Sequence, residues 1–135
     1  MEGLGLLANS VLGLLGPWQV IYALGATLVG IVIGILPGLS ATLGIALMTT
    51  LTVKMTPTDA ILVLVCVYVG AIYGGSRTGI LLNIPGTAAN AAATLDGHAL
   101  ALQGRAGRAM GIATTGSVAG SLFGVLCLAT LTPLL

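Results

Sequence analysis

The chain has 135 residues, of which 57% are hydrophobic and only 5% are charged, and its formal net charge is +1. A soluble domain carries roughly a quarter of its residues as Asp, Glu, Lys and Arg, so this composition excludes a water-exposed globular protein. A net charge near zero argues against nucleic-acid binding. The 21 glycines favour closely packed membrane helices, because small residues let helix backbones approach. We therefore expect an all-α polytopic membrane protein.

The N-terminal part predicts one short apolar helix and one spanning helix. Residues 4–15 are apolar but too short to cross a bilayer comfortably. Residues 19–36 are the first spanning candidate, with about 18 residues against the ~20 that a bilayer requires. Gly30 and Gly34 are four residues apart on this span, with Gly25 nearby, which predicts a face that packs closely on another helix.

An interruption at residues 36–38 (Leu-Pro-Gly) ends that span. Residues 43–53 resume a helix that rises only about 20 Å, even counted from the preceding Ala41, at 1.5 Å per residue. It therefore either starts inside the membrane or crosses it partially. A polar turn follows, where Thr56 is placed as an N-cap and Pro57 suits the first helical position.

The C-terminal part predicts more broken structure. Residues 60–73 form the next helix and run into Gly-Gly-Ser-Arg at 74–77, and residues 78–84 are short and apolar. Residues 87–95 are small and polar for a membrane segment. Residues 96–108 are the most polar stretch, and we expect them to reach water as a loop. A long final span follows at 109–131, with glycines at spacing four: Gly116, Gly120 and Gly124.

Two Pro-Gly motifs share one form, aliphatic-Pro-Gly-x-small-Ala, at residues 36–41 and 84–89. Pro37 and Pro85 each remove a backbone donor and obstruct the preceding helical turn, while glycine after each proline allows a positive φ. In hydrocarbon, non-helical backbone persists only where it is buried in protein or lines a wet cavity. We therefore expect each motif to end one helix and to start another at membrane depth.

A new helix presents free N–H groups and the positive end of its dipole, which stabilises an anion by about 0.3–1 kcal/mol and by about 2 kcal/mol when partly buried. Two such termini, with nearby hydroxyl and amide side chains, predict a cradle for a carboxylate. The predicted site consists of Pro37, Gly38, Leu39, Ser40, Thr42, Asn83, Pro85, Gly86, Thr87 and Asn90, lined further by Gly75, Ser76 and Arg77. The alternative is that each motif is only a kink or a loop at the membrane surface.

The charged side chains admit more than one interpretation. Arg77 either attracts an anionic substrate or reaches the surface or pairs with Asp59 or Asp96. For Asp96 and the neighbouring His98, a role in proton or cation coupling competes with a place in a water-exposed loop. The two basic residues of the 96–108 stretch, Arg105 and Arg108, are topology signals, but so few charges leave the orientation open.

Known enzyme motifs are not matched. Residues 74–76 (Gly-Gly-Ser) lack the G-x-S-x-G pattern of a nucleophile elbow, and residues 104–111 lack the Lys-Ser/Thr of a phosphate loop. A single histidine and the lack of clustered carboxylates predict no metal site and no cofactor other than a coupling Na⁺ or H⁺. We therefore do not expect an enzyme.

Several stretches, taken together in order and spacing, resemble the large membrane subunit of tripartite tricarboxylate transporters, the TctA family. They are residues 34–39 (Gly-Ile-Leu-Pro-Gly-Leu), 73–76 (Tyr-Gly-Gly-Ser), 80–86 (Ile-Leu-Leu-Asn-Ile-Pro-Gly), 95–97 (Leu-Asp-Gly) and 103–107 (Gln-Gly-Arg-Ala-Gly). The resemblance extends from about Gly25 onward. It implies that residues 1–135 are a single membrane transport domain, the N-terminal part of a longer subunit and the first part of an inverted-repeat transporter.

The resemblance also implies a function: ion-driven uptake of citrate or related carboxylates across a bacterial inner membrane. It implies two protein partners, a small membrane subunit and a periplasmic solute-binding protein. The sequence departs from the family at residues 96–99, where members commonly have Tyr then Pro, and at Thr87, where some members have Glu. The second departure leaves the choice of substrate open. Two other readings are a non-transporting membrane scaffold and an ion-channel segment.

Overall fold

The computed structural model describes residues 16–131 together with residues 5, 9, 12 and 13. Residues 16–131 form α-helices and one 3₁₀ turn without a β-strand, which confirms the predicted all-α class. The elements are α1 (Pro17–Ile35), α2 (Ala41–Thr52), α3 (Pro57–Leu82), a 3₁₀ turn (Ala88–Asn90), α4 (Ala91–Leu102) and α5 (Ala106–Leu131). Apart from residues 5, 9, 12 and 13, the helix predicted at residues 4–15 lies outside the described residues.

Three of these helices, α1, α3 and α5, are long and apolar enough to cross a membrane by their length and composition. The predicted spans at 19–36 and 109–131 are therefore confirmed. α2 is apolar but has only 12 residues, which is too short for a full crossing. The protein is a multi-pass membrane protein.

α1 and α3 pack side by side through four glycines. Gly30 and Gly34 of α1 lie against the backbone of α3. In the other direction, an ideal Cβ built on Gly70 of α3 would lie 2.5 Å from the carbonyl oxygen of Thr27, and one built on Gly74 would lie 2.5 Å from that of Ile31. The residue numbers of the contacting positions rise together along α1 and α3, so the two helices are parallel. The predicted packing face of α1 is confirmed for its two spaced glycines, whereas Gly25 meets no atom within 4 Å.

α2 returns along α1 and completes a small core. Gly44 of α2 lies beside Ile33 of α1 and Val67 of α3. Val67 is fully buried, and Val63 and Ala26 join it in the core cluster. α2 therefore runs antiparallel to α1 and α3, back from the level at which α1 ends.

The α2–α3 connection follows the predicted turn chemistry. The Oγ1 atom of Thr56 accepts a hydrogen bond from the backbone N–H of Asp59 at 3.3 Å, and Pro57 occupies the first helical position. This N-cap satisfies one of the donors that a helix start leaves unpaired.

The expected break at Gly74-Gly75-Ser76-Arg77 is wrong, because α3 continues without interruption from Pro57 to Leu82. Glycine in a helix interior costs about 1 kcal/mol relative to alanine, but both glycines here let other backbone segments approach. Gly74 faces α1, and Gly75 faces the backbone of Gly86. The packing against these segments offsets the low helix propensity.

The expected water-exposed loop at residues 96–108 is also wrong over its first half. Asp96, Gly97 and His98 lie inside α4, and Asp96 is exposed. Gly97 packs on the side chain of Ile80, and the Nδ1 atom of His98 hydrogen-bonds the Ile80 carbonyl oxygen at 3.1 Å. These contacts with the last turns of α3 hold the polar residues in helical structure.

α4 runs parallel to the C-terminal part of α3, and α5 then turns back. Contacts pair Gly79 with Thr94 and Ile80 with Gly97, so residue numbers rise together along both helices. Gly104, with φ of +75°, allows the tight turn into α5. The predicted glycine stripe of α5 has no neighbour among the described residues, since a Cβ at Gly116, Gly120 or Gly124 would meet no atom within 4 Å.

Candidate functional site

The first Pro-Gly loop, residues 36–40, ends α1 and begins α2. Gly38 adopts a φ of +90°, a conformation that glycine reaches without the Cβ clash of other residues. The N–H of Leu39 donates to the Leu36 carbonyl oxygen at 3.2 Å, closing the turn. The loop therefore interrupts the helix as predicted, and its proline and glycine are exposed.

The hydroxyl groups of this loop already have partners. Ser40 is the N-cap of α2, and its Oγ atom accepts from the N–H of Leu43 at 3.3 Å. The same atom lies 2.6 Å from the hydroxyl oxygen of Thr42. Both predicted ligand hydroxyls thus take part in hydrogen bonds at the start of α2.

The second Pro-Gly loop, residues 83–87, begins differently. Asn83, rather than a glycine, takes the left-handed conformation with φ of 59°. Its backbone N–H donates to the Gly79 carbonyl oxygen at 3.0 Å and closes the last turn of α3. Asn83 is exposed, and its position identifies it as a helix C-cap, a place where asparagine tolerates positive φ.

Glycine is required at position 86 because other backbone segments approach it closely. The predicted positive φ at Gly86 is not found. An ideal Cβ at Gly86 would lie 2.6 Å from the Cα atom of Gly75 and 2.8 Å from the carbonyl oxygen of Gly34. The N–H of Gly86 also donates to the Gly75 carbonyl oxygen over a long 3.5 Å. We call this meeting of Gly34, Gly75 and Gly86 the glycine junction.

The glycine junction brings the second loop to the last turn of α1, directly before the first loop. α2 then leaves the first loop antiparallel to α3, whereas the 3₁₀ turn and α4 leave the second loop parallel to α3. Both new helices therefore start near the same level of the bundle and run in opposite directions. The free N–H groups of a helix lie in its first turn, so those of both helices are near this level.

Thr87 carries a buried side-chain oxygen at this level, and this Oγ1 atom has no hydrogen-bond partner within the described residues. Thr87 is the N-cap of the 3₁₀ turn, with extended backbone, but its hydroxyl makes no cap bond. Buried polar side-chain atoms are paired in the large majority of cases, and an unpaired one calls for an explanation such as a missing water, ion or ligand.

Asn90 anchors the start of α4 to α3. It is 6% exposed, and its Nδ2 atom donates to the carbonyl oxygen of Ile72 at 3.0 Å. The Asn90 carbonyl oxygen accepts from the hydroxyl of Thr94 at 2.8 Å. Thr78 also donates, at 3.0 Å, to the Gly75 carbonyl oxygen, so hydroxyl and amide groups fix the backbone around the glycine junction.

Arg77 lies on a different face of α3. At 3.6 residues per turn, residues 75 and 77 point about 200° apart, and Arg77 reaches α5. Its Nη1 atom donates to the Met110 carbonyl oxygen at 3.1 Å, Nη2 donates to the Thr114 hydroxyl, and the guanidinium stacks 4.2 Å from the centroid of the Tyr73 ring. These partners replace the anticipated Asp59 and Asp96.

The lining predicted from residues 75–77 is thus divided by the structure. Gly75 belongs to the glycine junction, Arg77 faces α5, and the Ser76 hydroxyl donates to the Tyr73 carbonyl oxygen of its own helix at 2.7 Å. Sequence reasoning missed the partners of Arg77 because they lie 33 and 37 positions away. Sequence reasoning also assigned Gly34 to helix packing alone. Its position three residues before Pro37 already placed it close to the first Pro-Gly loop.

A separate cleft of about 170 Å³ lies among α3, α4 and α5. Its lining is apolar apart from Asp96, and it contains no residue of either Pro-Gly loop. No group of three or more His, Cys, Asp or Glu side chains comes together in the described part of the chain. The polar groups of the two loops are thus the free backbone N–H groups at the helix starts and the hydroxyl and amide side chains.

Comparison with known proteins agrees with this architecture. Residues 20–135 match the tripartite tricarboxylate transporter TctA family. The chain belongs to this family. The resemblance found in the sequence is therefore confirmed.

A relative of this TctA-family chain is described as an uncharacterized 52.8 kDa protein in the TAR-I ttuC' 3'region of Agrobacterium vitis. The two are 36% identical over 131 residues, which is 95% of this chain. The chain spans 26% of the length of that relative. No solved structure is significantly similar to the chain.

Proposed function

We propose that this TctA-family chain binds small organic anions, tricarboxylates or dicarboxylates such as citrate, at its two Pro-Gly loops. It does so as part of a secondary, ion-coupled transporter in a bacterial inner membrane. The family supports the transporter class, and the loops supply the binding groups. The backbone N–H groups after Gly38 and Gly86 contact the carboxylates, helped by Ser40, Thr87 and Asn83.

The observation that carries this proposal is the unpaired Thr87 hydroxyl. An unpaired buried polar group costs about 1–3 kcal/mol, and a carboxylate oxygen accepting from this hydroxyl would remove that cost. Thr87 precedes the first free N–H groups of the 3₁₀ turn, which favour negative charge for the same electrostatic reason. By contrast, the Ser40 hydroxyl already caps α2, so the second loop makes the stronger contribution.

The depth of the glycine junction supports a transport site rather than a surface loop. α3 has 26 residues, or about 39 Å at 1.5 Å per residue, against a hydrocarbon core of about 30 Å. A centred α3 would project about 5 Å from each side of the core. Gly75 is seven residues, about 10 Å, from the end of α3, so with α3 centred the junction would lie inside the core.

The remaining parts of the proposal follow from the family. The partners are a small membrane subunit and a periplasmic solute-binding protein that delivers the anion. The coupling ion is Na⁺ or H⁺. The second half of the binding region belongs to a part of the subunit outside these 135 residues.

Uptake of labelled dicarboxylates and tricarboxylates tests the proposal in cells that express the full subunit with its partners, with and without sodium. Thr87→Val keeps the shape of the side chain but removes its hydroxyl, and we expect uptake to fall at least tenfold at unchanged protein level. Thr87→Ser, which keeps the hydroxyl, should retain most of the activity. Thr115→Val is the matched control, because that hydroxyl bonds only to carbonyl oxygens of its own helix.

Each alternative makes a different prediction in the same assay. A membrane scaffold would give normal uptake with Thr87→Val. An ion channel would give conductance without a saturable carboxylate. Wild-type uptake by Thr87→Val would contradict the binding role of the second loop, because no other group replaces its hydroxyl.

A further inference from the structure

The end of the bundle formed by the α4–α5 turn is basic. Arg105 and Arg108 are both exposed there, and neither side chain forms an ion pair within the residues that the structure describes. Because α4 runs parallel to α3, this turn lies at the same end as the C-terminus of α3. The opposite end carries Lys54 together with Asp59, whose charges cancel.

An apolar cleft begins next to these arginines. Leu100 and Ala109, which flank the turn, line its outer part, and Ile80, Ile112 and Ala113 line the rest. Its volume of about 170 Å³ corresponds to a few methylene groups, at about 30 Å³ each. Asp96 contributes the one carboxylate of the lining, about one helical turn before Leu100 and so farther from the basic turn.

We propose that this end of the bundle binds an anionic phospholipid. The lipid phosphate lies between Arg105 and Arg108, and part of one acyl chain occupies the cleft among α3, α4 and α5. A zwitterionic lipid lacks the net negative charge that the two unpaired guanidinium groups attract. The inference concerns a surface away from both Pro-Gly loops and does not depend on transport.

The proposal also implies which leaflet supplies the lipid. Lys and Arg near the ends of spans mark the cytoplasmic side of membrane proteins, and that leaflet carries the anionic lipids that attract basic residues. The α4–α5 turn holds two arginines without an acidic residue between Gln103 and Ala109. In this proposal the basic turn faces the cytoplasmic leaflet, and the turn between α2 and α3 faces the other side.

Lipid retention by the purified full subunit tests the proposal. The subunit is exchanged from detergent into mixtures of phosphatidylglycerol and phosphatidylcholine, and bound lipids are counted by native mass spectrometry. We expect preferential retention of phosphatidylglycerol, and a loss of about fivefold for each arginine removed in Arg105→Gln and Arg108→Gln. Lys54→Gln at the opposite end is the matched control and should retain phosphatidylglycerol as the wild type does.

Two further arms separate the parts of the proposed site. Ala113→Phe fills the cleft without changing charge and should reduce retention of phosphatidylglycerol, with folding checked by unchanged size-exclusion behaviour. Soluble glycerol phosphate lacks acyl chains and should not displace the lipid. Equal retention of both lipids, or undiminished phosphatidylglycerol in the double arginine variant, would overturn the proposal. Displacement by glycerol phosphate would show a simple anion site and would equally overturn it.

Discussion

At the scale of single residues, glycine serves two different physical needs in the two Pro-Gly loops. Gly38 has a positive φ and open space around its Cα atom, whereas Gly86 has its neighbours closer than a Cβ would permit. The glycine of the Pro-Gly dipeptide is thus needed in the first loop for its backbone conformation and in the second loop for the close approach of neighbouring backbone. In the second loop the positive φ belongs to Asn83.

Gly38→Ala should destabilise the protein by about 1–2 kcal/mol, because an L-residue in a left-handed conformation meets its own carbonyl oxygen. No neighbouring atom would be displaced, so the protein should remain folded. Thermal unfolding of the detergent-purified subunit measures the change. Gly25→Ala is the matched control, since that helical glycine has open space and alanine there should be neutral or stabilising. Equal stability of the two variants would contradict this account of Gly38.

At the scale of the helices, glycine spacing alone did not distinguish a buried face from an open one. α1 and α5 both carry glycines four residues apart, but only the pair on α1 meets a partner, α3, within the described residues. The reciprocal pair on α3, Gly70 and Gly74, sits in a segment that sequence reasoning interpreted as a helix end. Recognising both pairs together would have predicted the α1–α3 contact.

Gly74→Ala should separate α1 from α3 and destabilise the protein by about 1–3 kcal/mol, the usual range for overpacking a close contact. Its Cβ would lie 2.5 Å from the Ile31 carbonyl oxygen, and neither backbone can move without losing other contacts. Denaturation of the purified subunit in mild detergent, followed by circular dichroism, measures the loss. Gly120→Ala on α5 is the control and should be neutral. A neutral Gly74→Ala would argue against the parallel α1–α3 contact.

At the scale of the whole molecule, the second Pro-Gly loop changes the path of the chain without reversing it. α3 reaches its end at Leu82, the loop returns to the level of Gly75, and α4 then runs in the same direction as α3. The α4–α5 turn consequently lies at the far end of α3 from the α2–α3 turn. A hairpin at the same loop would have placed both turns at one end.

Cysteine labelling tests this path. In a background with Cys66 and Cys127 replaced by alanine, Lys54→Cys and Arg105→Cys should react with a membrane-impermeant maleimide from opposite sides of the membrane. Thr58→Cys is a control that should label from the same side as Lys54→Cys, because it lies on the same turn. Labelling of Arg105→Cys and Lys54→Cys from one side would contradict the parallel course of α3 and α4.

The sequence by itself determined the all-α membrane class, the two helix interruptions, the N-cap at Thr56 and the family, because apolar runs, prolines and cap residues act over a few positions. It did not determine that α3 continues through Gly74 and Gly75 or that Asp96 and His98 are helical. Those outcomes depend on packing between segments distant along the chain: α1 beside Gly74, Gly86 beside Gly75, and Ile80 beside His98. Only the tertiary structure decided them, because local propensities disfavour helix at these glycines and long-range contacts outweigh that preference.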